Sequence, residues 1–238
     1  MRIFFAGAGG AIGRRLTPLL RAAGHAVVGT TRSAEKADAL RALGAEPVVV
    51  DVFDAEALAR AVKAAAPQAI IHQLTDLAFA PGSPRYQEGL ARNARLRIDG
   101  TRNLVAAARA VGVNRMIAQS IAFIYAPAEG ARVESDPLTA DAAMAATVAA
   151  VKSLEDAVLS LPDGVVLRYG FLYGPGTWFE QAKRAKPALH VDAAAQSTLL
   201  ALTRGERGVY NIAEDDGAVS SEKAKRDFGF DAGFRIKP

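Results

Sequence analysis

The chain has 238 residues and not one cysteine. That excludes disulfides, thiol nucleophiles and thiolate metal sites, and it fits a reducing, cytoplasmic setting. Histidine is nearly as scarce. His25, His72 and His190 lie too far apart in sequence to suggest a metal centre. Apolar runs are short: none approaches the roughly 20 residues that cross a bilayer. The N-terminus has no charged segment followed by an apolar stretch and a cleavage site, so no signal peptide is expected. The net charge of +4 comes from lysines and arginines scattered along the chain. Nucleic-acid binding requires a basic stripe or a known module, and neither is present. The expectation is therefore no membrane partner and no nucleic-acid partner. What the chain does have is 50% hydrophobic residues, with alanine prominent among them. That is enough to cover both faces of a parallel sheet with closely packed helices.

The strongest pattern lies at the start. Arg2 to Ala6 reads as a short buried strand, followed by Gly7-Ala8-Gly9-Gly10-Ala11-Ile12-Gly13 and an amphipathic helix ending near Gly24. Strand, glycine turn and helix form the context in which such a motif binds a dinucleotide. Gly7 permits the tight turn, Gly10 lets the backbone approach a pyrophosphate, and Gly13 lets the helix pack close to the strand. Free N–H groups at the helix start attract phosphate. Gly9, Ala11 and Ile12 complete the candidate cradle.

Downstream, strand and helix patterns alternate at βαβ spacing, which implies a doubly wound parallel α/β sheet of Rossmann type. Strands are expected at 26–30, 46–50, 69–73, 115–119 and 165–169. One long helix is expected from about Pro84 to Val111, with a break near its start as the alternative, and another from about Asp141 to Leu161. Ser33 is a candidate helix cap. The last third is less regular, with a helix from about Val191 to Thr203, a strand at 209–212 and a helix over 221–228. The reading is an NAD(P)-binding domain over 1–170. Residues 171–238 form a reduced substrate-binding region, interwoven with that domain. Ligands of open parallel sheets bind beyond the carboxyl ends of the strands. Polar residues gather there at Thr31 and Arg32, Asp51, His72 to Asp76, Ser120, and Tyr169 to Gly176.

Arg32 directly follows the second strand, where an NAD-preferring site presents an acid to the ribose 2′-hydroxyl. A guanidinium suits a 2′-phosphate instead. NADP is therefore favoured, with NAD as the alternative, and Thr31 and Lys36 stand beside it. Asp51, followed by Val52, is placed to accept from an adenine amino group. Asp54 is the better helix cap.

Further residues carry a family resemblance. They are Asp51-Val52-Phe53-Asp54, Ile70-Ile71-His72-Gln73-Leu74-Thr75, Asp99-Gly100-Thr101-Arg102-Asn103-Leu104, Gly112-Val113-Asn114-Arg115 and Leu167 to Gly176. His190-Val191-Asp192 and Gly208 to Ile212 follow. With the glycine turn, they resemble the extended and atypical short-chain dehydrogenase/reductases, the NAD(P)-dependent epimerase/dehydratase group. The resemblance implies that His72, Gln73, Leu74 and Thr75 line the ribose and nicotinamide side. It also implies that Tyr169, Gly170 and the residues after them lie beside the nicotinamide. A small-molecule substrate and a homodimer are implied as well.

The same resemblance calls for a tyrosine four residues before a lysine, and a serine or threonine after the fifth strand. Lys152 stands at the lysine place, as a cofactor-binding and catalytic candidate, but Val148 precedes it where tyrosine is expected. Ile121 occupies the serine place, with Ser120 one residue earlier. Three readings follow. A substituted tyrosine acts as acid, with Tyr125 ahead of Tyr169 and Tyr173. Alternatively, the protein binds NADP(H) without turnover, as a sensor or regulator. In the third, hydride positioning suffices and water or substrate supplies the proton. Lys152 otherwise reads as a solvated partner of Asp156, and His190 with Asp192 as a helix cap. The expected activity is an NADP-preferring oxidoreductase or epimerase-like reaction on a small carbonyl or alcohol. The stretches 178–189 and 218–221 are short. Either the substrate lid is reduced or segments are missing from the chain as written.

Overall fold

Strands that are apolar on both sides must be covered on both faces, and here they are. The computed structural model describes residues 1–77, 79–181, 183 and 185–237. In β1 (Arg2–Ala6), Ile3 and Phe5 enter one core while Phe4 and Ala6 enter the other. All four are essentially inaccessible to solvent. Alternating side-chain directions in one strand thus feed two helical layers.

The other strands are β2 (Ala26–Thr31), β3 (Glu46–Val49), β4 (Ala69–His72), β5 (Arg115–Ile121), β6 (Asp163–Tyr169), β7 (Phe171–Tyr173), β8 (Ala188–His190) and β9 (Gly208–Ile212). Seven form a parallel sheet in the order β3-β2-β1-β4-β5-β6-β9. Strand order reverses between β1 and β4, and a crevice opens at the carboxyl ends of a sheet at such a point. Strand β9 returns from the last third of the chain to pair with β6, so the two parts of the chain share one sheet. Strands β7 and β8 form a separate parallel pair that the sequence pattern does not reveal, being three residues each.

Helix α1 (Ala11–Ala22) covers one face with α7 (Val191–Leu200). Helices α3 (Ala55–Ala65), α5 (Thr101–Ala110) and α6 (Ala145–Leu159) cover the other. The shorter α2 (Ala37–Ala42) lies at the β3 end, and α8 (Glu222–Phe228) follows β9. The long helix expected before β5 is two helices, α4 (Tyr86–Arg95) and α5, joined by a π-helical turn over Leu96–Gly100. Ser33 precedes a 3-10 turn without capping it through its side chain; its hydroxyl goes to Glu35. Among the described residues no helix is long and apolar enough to cross a membrane.

Candidate functional site

The carboxyl ends of β1 to β4 surround a cavity of about 690 Å³. The turn from Gly7 to Gly10 forms one wall. Thr31, Arg32 and Ser33 form the second, and Val50 to Phe53 the third. Gln73, Leu74 and Thr75 close it, with Leu96 from the π-helical turn. The sequence candidates Gly7, Gly9, Gly10, Thr31, Arg32, Asp51, Val52, Gln73, Leu74 and Thr75 thus meet in one place.

Two glycines are sterically required. Gly7 has φ +101°, and a Cβ there would stand 2.7 Å from the Gln73 carbonyl on β4's far end. A Cβ on Gly13 would stand 2.4 Å from the carbonyl oxygens of both Gly7 and Ala8. Helix α1 therefore sits directly on the turn. Gly10 is its N-cap, with no side-chain cap and no acid in the first turn. The opening N–H groups at Ala11, Ile12 and Gly13 have no intrahelical acceptor. They leave a positive helix end for an anion.

Arg32 is exposed and has no hydrogen bond or ion pair among the described residues. Lys36 and Arg14 line the same cavity. Arg14 is absent from the sequence candidates, although its place in the first turn of α1 signals it. Its Nε donates to the Gly9 carbonyl at 3.0 Å. Asp51 accepts the Phe53 N–H on one carboxylate oxygen at 2.9 Å, and Asp54 caps α3 by accepting from Ala57 at 2.9 Å. Phe53, also unanticipated, lies under the Arg95 guanidinium at 4.2 Å.

These features fit the adenosine diphosphate half of a dinucleotide. A glycine cradle that any Cβ would distort, a bare helix start and an unpaired guanidinium lie around one cavity.

His72 corrects the sequence reading. It lies behind the cavity, 1% exposed, and does not line it. Its Nδ1 accepts the Leu74 N–H at 3.3 Å, so Nε2 carries the proton towards the Thr101 hydroxyl at 2.9 Å. Burial, helped by the charge of Arg97, lowers its pKa to about 4.

Beyond β5 and β6 the arrangement is different. Ser120 donates to Glu155 at 2.7 Å. Arg168 grips both oxygens of Glu155, at 2.8 and 2.6 Å, and donates to the Tyr125 hydroxyl at 2.7 Å. Tyr125 in turn donates to Asn211 at 2.6 Å. Ser120, Glu155, Arg168 and Asn211 are all buried. Burial opposes the charge on Arg168, but Glu155 outweighs it and drives the pKa up. Burial also raises Tyr125, against the pull of Arg168. Ser120 and Tyr125 are therefore joined in one network whose donors are committed to each other. Each hydroxyl is hydrogen-bonded within this network. Glu155 was missed, yet it stands on the apolar stripe of Val151, Leu154 and Val158, which is a readable signal.

Lys152 does not join them. It is exposed, and it pairs neither with Asp156 nor with any other described residue. The inward positions of α6 are Val151 and Glu155, one residue out of register with the expected lysine. Val151 packs with Ile121 and Ile124, and Phe123, Leu138 and Met144 lie against them. Tyr169 is 1% exposed and bonded to Gln73 and Thr198, within the core under α7. Burial raises its pKa. Gly170 is a close approach: its Cβ would stand 2.7 Å from the Pro187 carbonyl. Tyr173 donates to Glu214 and accepts from Arg235. His190 caps α7 by accepting from Asp192 at 3.2 Å, in the capping role expected of it.

A second cleft, of about 460 Å³, opens after β5 between Ala122–Ala128 and Lys186–Pro187 with Gly217–Val219. Phe123 at its edge stacks on Phe171, with ring centroids 3.9 Å apart and planes 11° from parallel.

With this geometry in view, comparison with known proteins is informative. A family model described as NAD(P)H-binding matches residues 7–184. The chain is 45% identical over 230 residues to a 3-diazoavenalumate denitrifying reductase of Streptomyces sp, spanning 94% of this chain and 71% of that protein. It superposes on the UDP-glucose 4-epimerase of Thermotoga maritima with TM-score 0.78 at 19% identity, covering 99% of this chain and 94% of that one. The Bordetella bronchiseptica enzyme WbmG, solved with NAD and UDP, gives TM-score 0.78 at 19% identity, with 99% and 91% covered. At such identities the likeness concerns the fold.

Proposed function

The chain belongs to the NAD(P)H-binding family, and on that premise we propose that it is an NADP-preferring reductase whose substrate needs no proton from the protein. One observation carries this. At the nicotinamide side the hydroxyls of Ser120, Tyr125, Tyr169 and Tyr173 are all bonded within the protein. The inward position of α6 beside them is Val151, among isoleucines.

The cofactor, when bound, supplies a hydride. The chain's residues divide the holding of it. The glycine turn and the start of α1 take the pyrophosphate. Arg32, with Arg14 and Lys36, takes the 2′-phosphate, which NAD lacks. Asp51 and Val52 take the adenine. A carbonyl substrate would require a proton at its oxygen as hydride arrives at carbon. An arenediazonium ion requires none: it gains hydride and leaves as the arene and dinitrogen, with charge and atoms balanced. Reduction of a diazo compound with loss of nitrogen is the kind of chemistry named for the Streptomyces relative. The cleft after β5, with the Phe123–Phe171 stack at its edge, suits an aromatic substrate. Orientation alone supplies about 7–11 kcal/mol in favourable cases.

The test follows NADPH consumption and dinitrogen release with an arenediazonium salt, set against aldehydes and ketones, each above the protein-free rate. Turnover of the diazonium salt alone supports the reading. Turnover of carbonyls overturns the proton-free part. The apolar cluster at Val151 also favours a second reading, a protein that binds NADP(H) without turnover. Tight NADPH binding with no turnover of any electrophile selects it.

A further inference from the structure

Arg97 is a buried cation to which neither the fold nor the network around Glu155 assigns a partner. It is 9% exposed, on the π-helical turn between α4 and α5. It forms no hydrogen bond and no ion pair among the described residues. Its donors are five N–H groups in a fixed fork. The obvious acceptor is Glu155, whose charge favours that of Arg97. The hydrogen bonds that Glu155 accepts come from Arg168 and Ser120, and none comes from Arg97. His72 lies within electrostatic reach as well, and it is neutral. Burial lowers the pKa of Arg97 only to about 10, so the guanidinium stays charged.

The side chain is buried along most of its length, while its nitrogens keep contact with solvent, so its donors are open to a small polar ligand. The turn that carries it points to a ligand. A π-helical turn inserts one extra residue, and such turns recur at functional sites. This one turns Leu96, Arg97 and Gly100 inward together and leaves Ile98 exposed. Leu96 lines the dinucleotide cavity. Arg97 is the next residue, within electrostatic reach of Glu155 on α6 and of His72 at the end of β4.

We propose that Arg97 holds the nicotinamide-side ribose of the cofactor, replacing from a neighbouring helix the lysine that α6 lacks. The proposal rests on the cofactor reading above. Helix α6 offers Val151 inward and Lys152 outward, so no cation on it reaches the crevice. A guanidinium from the π-helical turn restores one, and ribose hydroxyls supply acceptors for its free N–H groups.

The experiment is calorimetric titration of wild type, Arg97→Met and Arg97→Lys with NADPH and with 2′-phosphoadenosine 5′-diphosphate. The second ligand has the adenosine half and lacks the nicotinamide ribose. Expected for Arg97→Met is a roughly ten- to hundredfold loss for NADPH, no change for the fragment, and partial recovery in Arg97→Lys. A merely structural arginine would behave differently. Its loss would weaken both ligands alike and lower the melting temperature of the free protein. By contrast, removal of an arginine kept for the ligand leaves that temperature nearly unchanged. Unchanged NADPH affinity, an equal loss for both ligands, or a lower melting temperature for free Arg97→Met overturns the proposal. Wild type that binds neither ligand overturns the cofactor reading, and this inference with it.

Discussion

At the carboxyl ends of β1 to β3 the main chain faces the crevice. Glycines leave it bare, the start of α1 has no acid or cap, and Arg32 is unpaired. At the ends of β5 and β6 the side chains have turned to one another. Ser120, Glu155, Arg168, Tyr125 and Asn211 form a chain of hydrogen bonds, and Ile121, Ile124 and Val151 are buried together in an apolar cluster. One half is organised to receive a ligand. The other is organised around hydrogen bonds among its own side chains. A protein arranged this way can hold a dinucleotide while offering its reactive end little acid–base help.

The contrast breaks most visibly at Glu155. If the β5–β6 network is structural, Glu155→Gln leaves Arg168 charged, buried and under-paired. Removing one partner of such a pair costs about 3–5 kcal/mol. Urea unfolding should show that loss, and a double variant with Glu155→Met and Arg168→Met should recover most of it. A loss under about 1 kcal/mol would mean the network is not what holds this half together.

The pH dependence of stability comes next. His72 has a folded pKa of about 4, below its ordinary 6.5, because burial and Arg97 disfavour its charge. Above pH 6.5 it is neutral in both states and stability is full. As pH falls from 6.5 towards 4, the unfolded chain takes the proton first, and the native state loses roughly 3 kcal/mol. His72→Gln should lack that part of the decline. Identical acid profiles for the two proteins would show that His72 is not held neutral.

The adenosine half is tested at Arg32. Arg32→Asp should lower NADPH affinity by roughly ten- to hundredfold, as loss of a charged hydrogen-bonding group does, and leave NADH affinity nearly unchanged. Equal affinities in the wild type would remove the NADP preference.

The two halves were unequally legible in the sequence. Gly7, Gly10, Gly13, Arg32 and Asp51 are fixed by their distance from strand ends, and a motif reads that distance directly. The parallel direction of the strands follows from the βαβ rhythm. Which face a residue of α6 presents is harder. A shift of one residue is about 100° of rotation, and the segment 126–144 before α6 offers no motif to fix it. The π-helical turn escaped for a similar reason: the pattern over 84–111 allows a break near its start but does not mark one at 96–100, and one extra residue there is enough to bring Arg97 inside. Glu155 and Arg168 are far apart in sequence, and their pairing depends on the alignment of α6 over β6.

Lys152→Ala should do almost nothing, and for that reason it sharpens the comparison most. An exposed lysine without a partner contributes within about ±0.5 kcal/mol to stability. If α6 turns Val151 inward, NADPH affinity should also stay within about twofold, while Arg97→Met reduces it. The two variants place the ribose-holding cation on different helices, so their titrations must disagree. A tenfold loss in Lys152→Ala with no loss in Arg97→Met would rotate α6 by one residue and return the cation to it. The network at Glu155 could not survive that rotation, because the same turn would carry its carboxylate away from Arg168. Binding at one residue therefore reports on burial at another, three positions further along the same helix.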